Sequence, residues 1–528
     1  MLILRDVSYR HANKELLFDN ISFTINNQDK IALIGNNGTG KSILLKIIAG
    51  ELQPTGGNLS LNAEPYAIPQ ILGQYNQLTI AQALKIDDKL NALQEILEGR
   101  ATESNLDLLG DDWTIEERCN NALIYWQLTD LNLTQKMETL SGGQKTKVFL
   151  AGISIHRPAL ILLDEPSNHL DTTGRQLLYN FIQSTSSTLI VVSHDRNLLN
   201  HLDRIYELSK RGITVYGGNY NFYAGQKQIE NNALKLGLQT REKALRKAKE
   251  KERDTLERQQ RLDTRGKRKQ EKAGVARIMI NTLRNNAENS TSKLKGIHAE
   301  KIDALSGELK ELRSTLPDID LMKFGFNDSA LHLGKILFSV TDINYGYHNE
   351  LLWKEPLHFK IASGERIALK GKNGSGKTTL IKIILGVLEP QTGTVYRGAY
   401  QSVYIDQDYS FIDNGLKVYE QAQQFNVGAL QEHEIKIRLS RFLFTKEDWD
   451  KPCMALSGGE KMRLMLCCLT INNQSPDLIL LDEPTNNLDI QNIEILTAAI
   501  NEYRGTLVVV SHDAHFLAQT HIERTITL

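Results

Sequence analysis

Several features that define other protein classes are scarce in this sequence of 528 residues. There are four cysteines, Cys119, Cys453, Cys467 and Cys468, and none forms a C-x-x-C pair, which argues against a zinc site and a disulfide framework. No apolar run approaches the roughly 18 residues of a membrane-spanning helix. The formal net charge is -1, which excludes a uniformly basic nucleic-acid-binding surface. The composition therefore predicts a soluble, cytoplasmic protein without a membrane partner.

A set of motifs occurs twice along the chain in the same order. Each copy contains a phosphate loop, an LSGG turn, an apolar run ending in LLDEP, and a Ser-His-Asp sequence. The glutamate and the histidine are 29 residues apart in both copies, whereas the lysine of the phosphate loop precedes LSGG by 100 residues in one and 80 in the other. Because a chain of this length exceeds one ordinary core, the repeat predicts two related domains.

Both phosphate loops match G-x-x-x-x-G-K-[ST] in full and lie between a strand-like run and a helix-like run. Glycines allow backbone N–H groups and a helix N-terminus to surround phosphate oxygens in this context. A single match in a chain of this length is weak evidence for a phosphate loop. Two matches, each accompanied by the other motifs of the set, are strong evidence. The predicted ATP-binding residues are Gly35, Asn36, Asn37, Gly38, Thr39, Gly40, Lys41 and Ser42, and Gly371, Lys372, Asn373, Gly374, Ser375, Gly376, Lys377 and Thr378.

Acidic residues and a histidine follow the apolar runs of each copy. The first acid after each strand could hold Mg²⁺ with the loop hydroxyl, and the second could polarise the attacking water. An isolated Asp-Glu pair is more often an exposed strand end, and a lone histidine a polar cap; repetition behind a phosphate loop favours chemistry. The predicted metal-binding residues are Asp164, Asp482, Ser42 and Thr378, and the predicted catalytic residues are Glu165, Glu483, His194 and His512. His169 has no such support and is interpreted as a solvated or packing residue.

The full motif set resembles the ATP-binding cassette superfamily of P-loop NTPases. The resemblance implies an α/β fold with two tandem cassettes, 1–224 and 318–528, joined by an α-helical hairpin linker, 225–317. It also implies that the LSGG segment of each cassette completes the ATP site of the other cassette. The signature residues are Ser141, Gly142, Gly143 and Gln144 for the second site, and Ser457, Gly458, Gly459 and Glu460 for the first.

Four further positions carry over from that resemblance. Gln70 and Gln407 match the glutamines that sense Mg²⁺ and the attacking water. Tyr347 matches the aromatic residue that stacks on adenine, and His11 holds that position in the first cassette, where its smaller ring implies weaker or shifted adenine binding. None of these differences removes a catalytic group, so we expect ATP hydrolysis at both sites.

The segment between the cassettes is strongly basic. From Gln226 to Thr315 there are 23 Lys and Arg against 13 Asp and Glu, a net charge of +10, and the rest of the chain carries -11. Helix-length stretches near 220–262 and 276–312 flank a Gly-punctuated basic stretch at 264–274. Leucines and an isoleucine at 3,4,3,4 spacing predict a coiled-coil seam, formed by Ile302, Leu305, Leu309, Leu312 and Leu316 and faced by Leu234, Leu238 and Leu245.

Clustered cations between two helices favour contact with RNA phosphates through counterion release, although a solvated spacer is the simpler interpretation. The predicted RNA-binding residues are Arg261, Arg265, Lys267, Arg268, Lys269 and Lys272.

Paired cassettes with such a linker resemble the ABC-F family of ribosome-associated ATPases, and residues 85–112 resemble a short form of that family's arm. The resemblance implies an ATPase that uses ATP and Mg²⁺, with ribosomal RNA and tRNA as partners, and whose ATP-closed form binds the ribosome. Three alternatives remain open at this point: a ribosome-protection factor in antibiotic resistance, a DNA-maintenance ATPase, for which DNA is a disfavoured partner, and the energising subunit of a transporter.

Overall fold

The computed structural model describes residues 1–11, 16–69, 72–209, 212–272, 293, 296–312, 322, 331–347, 350–472, 475–486 and 488–528. Two compact units are present. Both cassettes belong to one unit, Met1–Tyr223 with Met322–Leu528, and Ala224–Leu321 forms the other.

The first cassette contains two sheets. An antiparallel sheet has the order β2-β1-β4, and a six-stranded sheet has the order β5-β6-β7-β3-β8-β9, in which all neighbours are parallel except the pair β8 and β9. The strands are β1 (Leu2–Arg10), β2 (Leu16–Ile25), β3 (Lys30–Ile34), β4 (Gly56–Leu61), β5 (Pro65–Ile68), β6 (Leu160–Asp164), β7 (Thr188–Val192), β8 (Arg204–Ser209) and β9 (Gly212–Tyr216).

Helices connect these strands and cover the parallel sheet. They are α1 (Lys41–Ile48), α2 (Ile80–Ala83), α3 (Asp87–Leu97), α4 (Glu103–Leu109), α5 (Ile115–Tyr125), α6 (Gly142–His156), α7 (Thr172–Ser184) and α8 (Arg196–Leu199), with 3-10 turns at Gly73–Tyr75 and Met137–Thr139. The helices α3 and α4 lie within the stretch 85–112, where the sequence predicts an arm-like insertion.

The second cassette repeats this architecture with fewer elements. Its strands are β10 (Ile336–Asn344), β11 (Gly346–Tyr347), β12 (Glu350–Leu351), β13 (Leu357–Ala362), β14 (Arg366–Lys370), β15 (Thr392–Arg397), β16 (Ser402–Ile405), β17 (Leu478–Asp482), β18 (Thr506–Val510) and β19 (Arg524–Thr527). The parallel sheet has the order β16-β17-β18-β14-β19, and β13-β10-β15 form the antiparallel sheet.

The order of the parallel strands matches that of the first cassette. The helices are α10 (Lys377–Ile384), α11 (Val418–Gln424), α12 (Glu432–Arg441), α13 (Gly458–Ile471), α14 (Ile490–Glu502) and α15 (Ala514–Gln519), with a 3-10 turn at Cys453–Ala455. Because α12 directly follows α11, the second cassette has no described counterpart of α3 and α4.

A hydrophobic core fixes the helix that follows each phosphate loop. Leu44, Ile47 and Ile48 of α1 belong to the same buried cluster as Leu33 of β3 and Val192 of β7. The strands β3, β7 and β18 are almost entirely buried, as expected for parallel strands covered on both faces. This packing holds the carboxyl ends of the strands, from which the polar motifs emerge, in fixed positions.

The segment between the cassettes begins with a long helix, α9 (Tyr220–Lys272). It extends about ten residues beyond the predicted end near Leu262, so the described cations of the loop expected at 264–274 lie on a helix instead. Arg261 and Arg265 are exposed. Lys267, Arg268, Lys269 and Lys272 lie on the helical backbone, and their side chains are outside the described residues.

Residues 296–312 are also helical and contact α9. Arg241 Nε donates to Glu308 Oε2 at 2.9 Å, and Leu245 lines one groove with Leu309, which is buried. Leu316, the last residue of the predicted seam, lies outside the described residues. In the described part of the chain, no helix combines the length and apolarity needed to cross a bilayer.

Candidate functional sites at the cassette interface

Each phosphate loop turns from a strand into a helix through glycines with positive φ. Gly38 and Gly374 both have φ of 80°, and a Cβ atom at either would meet nothing within 4 Å, so open space lies against the loop. Lys41 Nζ donates to Gly35 O at 2.7 Å, and Lys377 Nζ donates to Gly371 O at 2.9 Å. The lysines therefore fold back over the loops, with the geometry of a phosphate cradle.

The glutamate that follows each LLD strand has a left-handed backbone. Glu165 and Glu483 both have φ of 50°, a strained conformation for a non-glycine residue. Their N–H groups donate to Val192 O and Val510 O, each at 2.8 Å, and these bonds from the neighbouring strand hold the turn. The strain aims the carboxylates at the histidines: Glu165 Oε1 is 3.4 Å from His194 Nε2, and Glu483 Oε1 is 3.4 Å from His512 Nε2.

Burial shifts the pKa values of both glutamate–histidine pairs in the directions that favour their neutral forms. In the first site, burial and then the Asp164 carboxylate raise the pKa of Glu165, while burial and then Lys41 lower the pKa of His194 well below its usual value. In the second site, burial raises the pKa of Glu483 to about 7, and burial followed by Lys377 and Arg175 lowers the pKa of His512 to about 4. A glutamate with such a raised pKa is suited to accepting a proton near neutral pH, whereas each histidine is neutral there.

The aspartates that end β6 and β17 have oxygen atoms directed toward these sites. Burial raises the pKa of Asp164 and of Asp482. Asp164 Oδ1 is buried and has no hydrogen-bond partner among the described residues, and Thr378 Oγ1 donates to Asp482 Oδ2 at 3.1 Å. Carboxylate and hydroxyl oxygens that border a phosphate loop are the ligands Mg²⁺ prefers, so the residues fit this ion.

The LSGG segments form helix N-termini. Ser141 accepts a hydrogen bond from Gln144 N, and Gln144 Oε1 accepts one from Ser141 N, which closes a capping box at the start of α6. Ser457 and Glu460 form the same box at the start of α13. Such a terminus presents N–H groups and a positive dipole end to an anion.

The first cavity brings the phosphate loop of the first cassette together with the signature of the second. Its volume is about 420 Å³, within the range usual for ligand pockets. Asn37 N donates to Asp489 Oδ2 of the opposite cassette at 2.7 Å. Among the predicted residues, those that line this cavity are His11, Asn37, Gly38, Gly40, Lys41, Ser42, Asp164, Glu165, His194 and Ser457.

The second cavity has the reciprocal composition and a volume of about 690 Å³. Asn373 Nδ2 donates to His169 O of the opposite cassette at 3.1 Å, and Thr172 Oγ1 lies 3.4 Å from His512 Nδ1. The predicted residues that line it are Ser141, Gly142, Gly143, Tyr347, Asn373, Gly374, Gly376, Lys377, Thr378, Gln407, Asp482, Glu483 and His512.

The remaining predicted site residues are not among those that line the two cavities. Gln70 lies outside the described residues. The following described residues belong to the same loops and helix starts but do not line either cavity: Gly35, Asn36, Thr39, Gly371, Lys372, Ser375, Gln144, Gly458, Gly459 and Glu460. The backbone carbonyls of Gly35, Asn36, Gly371 and Lys372 accept hydrogen bonds from the loop lysines.

Three residues at the second site were not identified from the sequence as site residues. His169 lines the cavity, although the sequence suggests only a solvated or packing role for it. Tyr404 donates from its hydroxyl to Asp482 Oδ2 at 3.2 Å, and Arg175 lines the cavity from the opposite cassette. Alignment of the two internal repeats could have drawn attention to Tyr404 and Arg175, because they correspond to Ala67 and Ile493 in the other copy.

Comparisons with known proteins agree with this geometry. The family model for ABC transporters matches residues 18–168 and 355–486. The ATP-binding protein Uup of Escherichia coli strain K12 is 30% identical, with 96% of this chain and 77% of Uup covered. ABC transporter F family member 5 of Arabidopsis thaliana is 28% identical over 94% of this chain and 71% of that protein.

A solved structure supports the same fold. The complex of the archaeal ribosomal stalk protein aP1 with the archaeal ribosome recycling factor aABCE1 contains a chain with a TM-score of 0.60 and 21% identity, with 99% of this chain and 87% of that chain covered.

The paired cassettes and their two shared cavities define an ATP-binding cassette ATPase, a class of protein that binds and hydrolyses ATP. The sequence relationships identify it further: the chain belongs to the ABC-F family of this superfamily. The predicted α/β fold with two cassettes and a long intervening helix is confirmed.

The raised pKa of Glu483 gives a pH dependence for the second site. In a Glu165→Gln variant, in which only the second site retains its glutamate, kcat/KM for ATP should rise as the pH passes through about 7, because Glu483 is raised above its usual pKa and accepts a proton only when ionised. Initial rates of phosphate release from pH 5.5 to 9 measure this. A flat profile across that range would contradict the assignment, and ATP binding measured at each pH serves as the control.

Proposed function

We propose that this ATPase couples closure of its two cassettes around ATP to binding of the ribosome, and hydrolysis to release. The observation that carries the proposal is the concentration of a net charge of +10 between Gln226 and Thr315, in a segment whose described residues are helical and that follows a cassette with shared ATP sites. A cytoplasmic location follows from this partner.

The chemistry at each site follows from the groups around the cavity. Lys41 and Lys377 neutralise the β- and γ-phosphates, and Glu165 and Glu483 orient the attacking water and take its proton. His194 and His512 are neutral near pH 7 because burial lowers their pKa values. Each can therefore hydrogen bond to the γ-phosphate without a net charge of its own.

A magnesium ion fits at the end of each LLD strand. Ser42 with Asp164, and Thr378 with Asp482, are the residues that would hold it, and Gln407 lines the second cavity beside them. When bound, the ion neutralises charge that develops on the phosphate oxygens. Its positive charge would also favour the ionised forms of the buried carboxylates, since an opposite charge offsets the cost of burial.

Closure is an expected consequence of ATP sites that are shared between cassettes. Ser457 lines the cavity of the first phosphate loop, and Ser141 lines that of the second. A nucleotide bound to either loop therefore contacts both cassettes and stabilises the arrangement in which they meet. Loss of the γ-phosphate removes the anion that the signature helix binds, and the cassettes separate.

Arg196 connects the cassette interface to the start of the linker helix α9. It follows the Ser-His-Asp sequence of the first cassette, and its Nη1 donates to His515 Nδ1 at 2.9 Å and its Nη2 to Glu494 Oε1 at 3.2 Å, both in the second cassette. The guanidinium also lies 5.7 Å from the ring centre of Tyr220, where α9 begins. Separation of the cassettes would break these bonds beside the first turn of the linker helix.

RNA is the partner that best fits the charge of the linker. The helix α9 carries its exposed cations with few aromatic residues, so contacts to phosphates are favoured over base stacking. Membership of the ABC-F family supports the ribosome as the source of that RNA, with rRNA and tRNA in contact with the basic residues near the described end of α9.

A variant that binds but does not hydrolyse ATP should accumulate on ribosomes. Glu165→Gln combined with Glu483→Gln removes both bases and leaves the phosphate loops intact, so in the presence of ATP the protein should sediment with ribosomes in a sucrose gradient, while wild type is mostly released. Lys41→Ala with Lys377→Ala is the matched control and should remain free. If the double glutamine variant also stays free, the ribosome proposal is wrong.

The basic end of α9 should control the salt dependence of ribosome binding. Replacing Arg265, Lys267, Arg268 and Lys269 by alanine should lower the slope of log K against log salt by about three to four, if each cation meets one phosphate. Alanine replacement of four exposed cations earlier in the helix, Arg246, Lys247, Lys249 and Lys251, is the control and should change the slope by less than about one. Binding of the glutamine variant at several KCl concentrations measures both, and an unchanged slope in the first set would favour a spacer.

A further inference from the structure

Arg175 links the Ser-His-Asp sequence at 193–195, here called the histidine segment of the first site, to the cavity of the second site. Arg175 lies in the first turns of α7 and lines the second cavity together with Glu483 and His512 of the opposite cassette. Its Nε donates to Leu170 O at 3.2 Å, and its side chain is only 13% exposed. The guanidinium is thus held at the second site by the backbone of the cassette that does not supply the phosphate loop.

The other contact of Arg175 is with the residue that follows His194. Arg175 Nη1 is 3.6 Å from Asp195 Oδ2, and the Asp195 side chain is 7% exposed. Tyr179 donates from its hydroxyl to the same Asp195 oxygen at 2.6 Å. Asp195 also caps α8 through Asn197 N and Leu198 N. A shift of His194 therefore changes the partner that fixes Arg175, and the two cavities share one chain of contacts.

The second cassette lacks this arrangement at the matching positions. Ile493 follows Glu483 by the same ten residues that separate Arg175 from Glu165, and it is buried. Thr497 stands where Tyr179 does and donates to Ile493 O, while Asp513 caps α15 in the way that Asp195 caps α8. Among the described residues that line the first cavity there is no arginine. Among the described residues at these matching positions, no equivalent chain of contacts leads from the second histidine segment to the first cavity.

We infer that Arg175 is a positioning residue that makes ATP hydrolysis at the second site depend on the state of the histidine segment at the first. It acts through Glu483 and His512, which it faces across the cavity together with Lys377, Asp482 and Asp171. Its guanidinium lines the same cavity from the other cassette, so its place there affects how Glu483 and His512 are arranged around the nucleotide. The inference rests on the roles proposed above for Glu483 and His512 and does not depend on the ribosome.

Single-site variants separate a positioning role from a structural one. Arg175→Ile, which copies the second cassette, should lower kcat by about tenfold in the Glu165→Gln protein, where only the second site has its glutamate, because coupling between sites is typically of this size. In the Glu483→Gln protein, where only the first site has its glutamate, the same change should have an effect below about twofold. Equal losses in both backgrounds would show that Arg175 merely supports the fold.

The split between kcat and KM provides the second readout. In the Glu165→Gln background, Arg175→Ile should lower kcat and leave KM for ATP nearly unchanged, because a positioning residue affects the arrangement of Glu483 and His512 more than nucleotide binding, and Arg175→Lys should recover part of kcat. A loss confined to KM in Arg175→Ile would overturn the inference. Failure of the proposed catalytic roles is distinguishable, since Glu165→Gln with Glu483→Gln would then retain turnover.

A double-mutant cycle tests whether the dependence passes through the histidine segment of the first site. In the Glu165→Gln background, His194→Ala and Arg175→Ile should affect second-site turnover non-additively, because both interrupt the same chain of contacts. Additive effects would mean that Arg175 acts on the second site without the first, and the dependence would be excluded. Thermal unfolding of each variant, together with ATP binding, controls for loss of structure.

Discussion

The structure depends on the contact that each phosphate loop makes with the opposite cassette. Asn37 N bonds to Asp489 and Asn373 bonds to the carbonyl of His169, so neither loop is completed by its own cassette. A cavity built in this way couples ligand binding to closure of the cassettes, because a ligand that binds both walls also favours the arrangement that brings them together. The two shared sites follow from this arrangement.

Burial at the interface sets the electrostatic character of both sites. Closing two cassettes over a cavity removes water from carboxylates and imidazoles alike, which raises the pKa values of Glu165 and Glu483 and lowers those of the histidines. The same exclusion of water strengthens every interaction with a phosphate group inside the cavity. The left-handed backbone of both glutamates is maintained by hydrogen bonds that their N–H groups donate to neighbouring strands, which stores local strain at the candidate catalytic residues.

The two sites share one scaffold but differ in the side chains placed on it. Tyr404 donates a hydrogen bond to Asp482 at the second site, whereas the first site has Ala67 at that position. Arg175 gives the second cavity a cation that the buried Ile493 does not give the first. Both differences place additional polar groups at the second site, which points to a division of labour between two sites with the same catalytic motif.

The sequence alone determined the fold class, the two cassettes and the motifs of both sites, because these are local patterns: a glycine loop between strand and helix, a capping box at LSGG, and acids at the end of an apolar run. It also indicated the basic linker, although it ended the first helix too early, since Gly266 did not interrupt a helix otherwise rich in good helix formers.

Only the tertiary structure decided which residues meet across the interface. His169, Arg175 and Tyr404 carry no motif, and their places depend on the packing of helices against sheets and of one cassette against the other. Sequence spacing shows which residues are close along the chain, but the contact between Asn37 and Asp489, 452 residues apart, depends on how two hydrophobic cores are built and packed. The local pattern that predicts a helix or a loop contains no information about that packing.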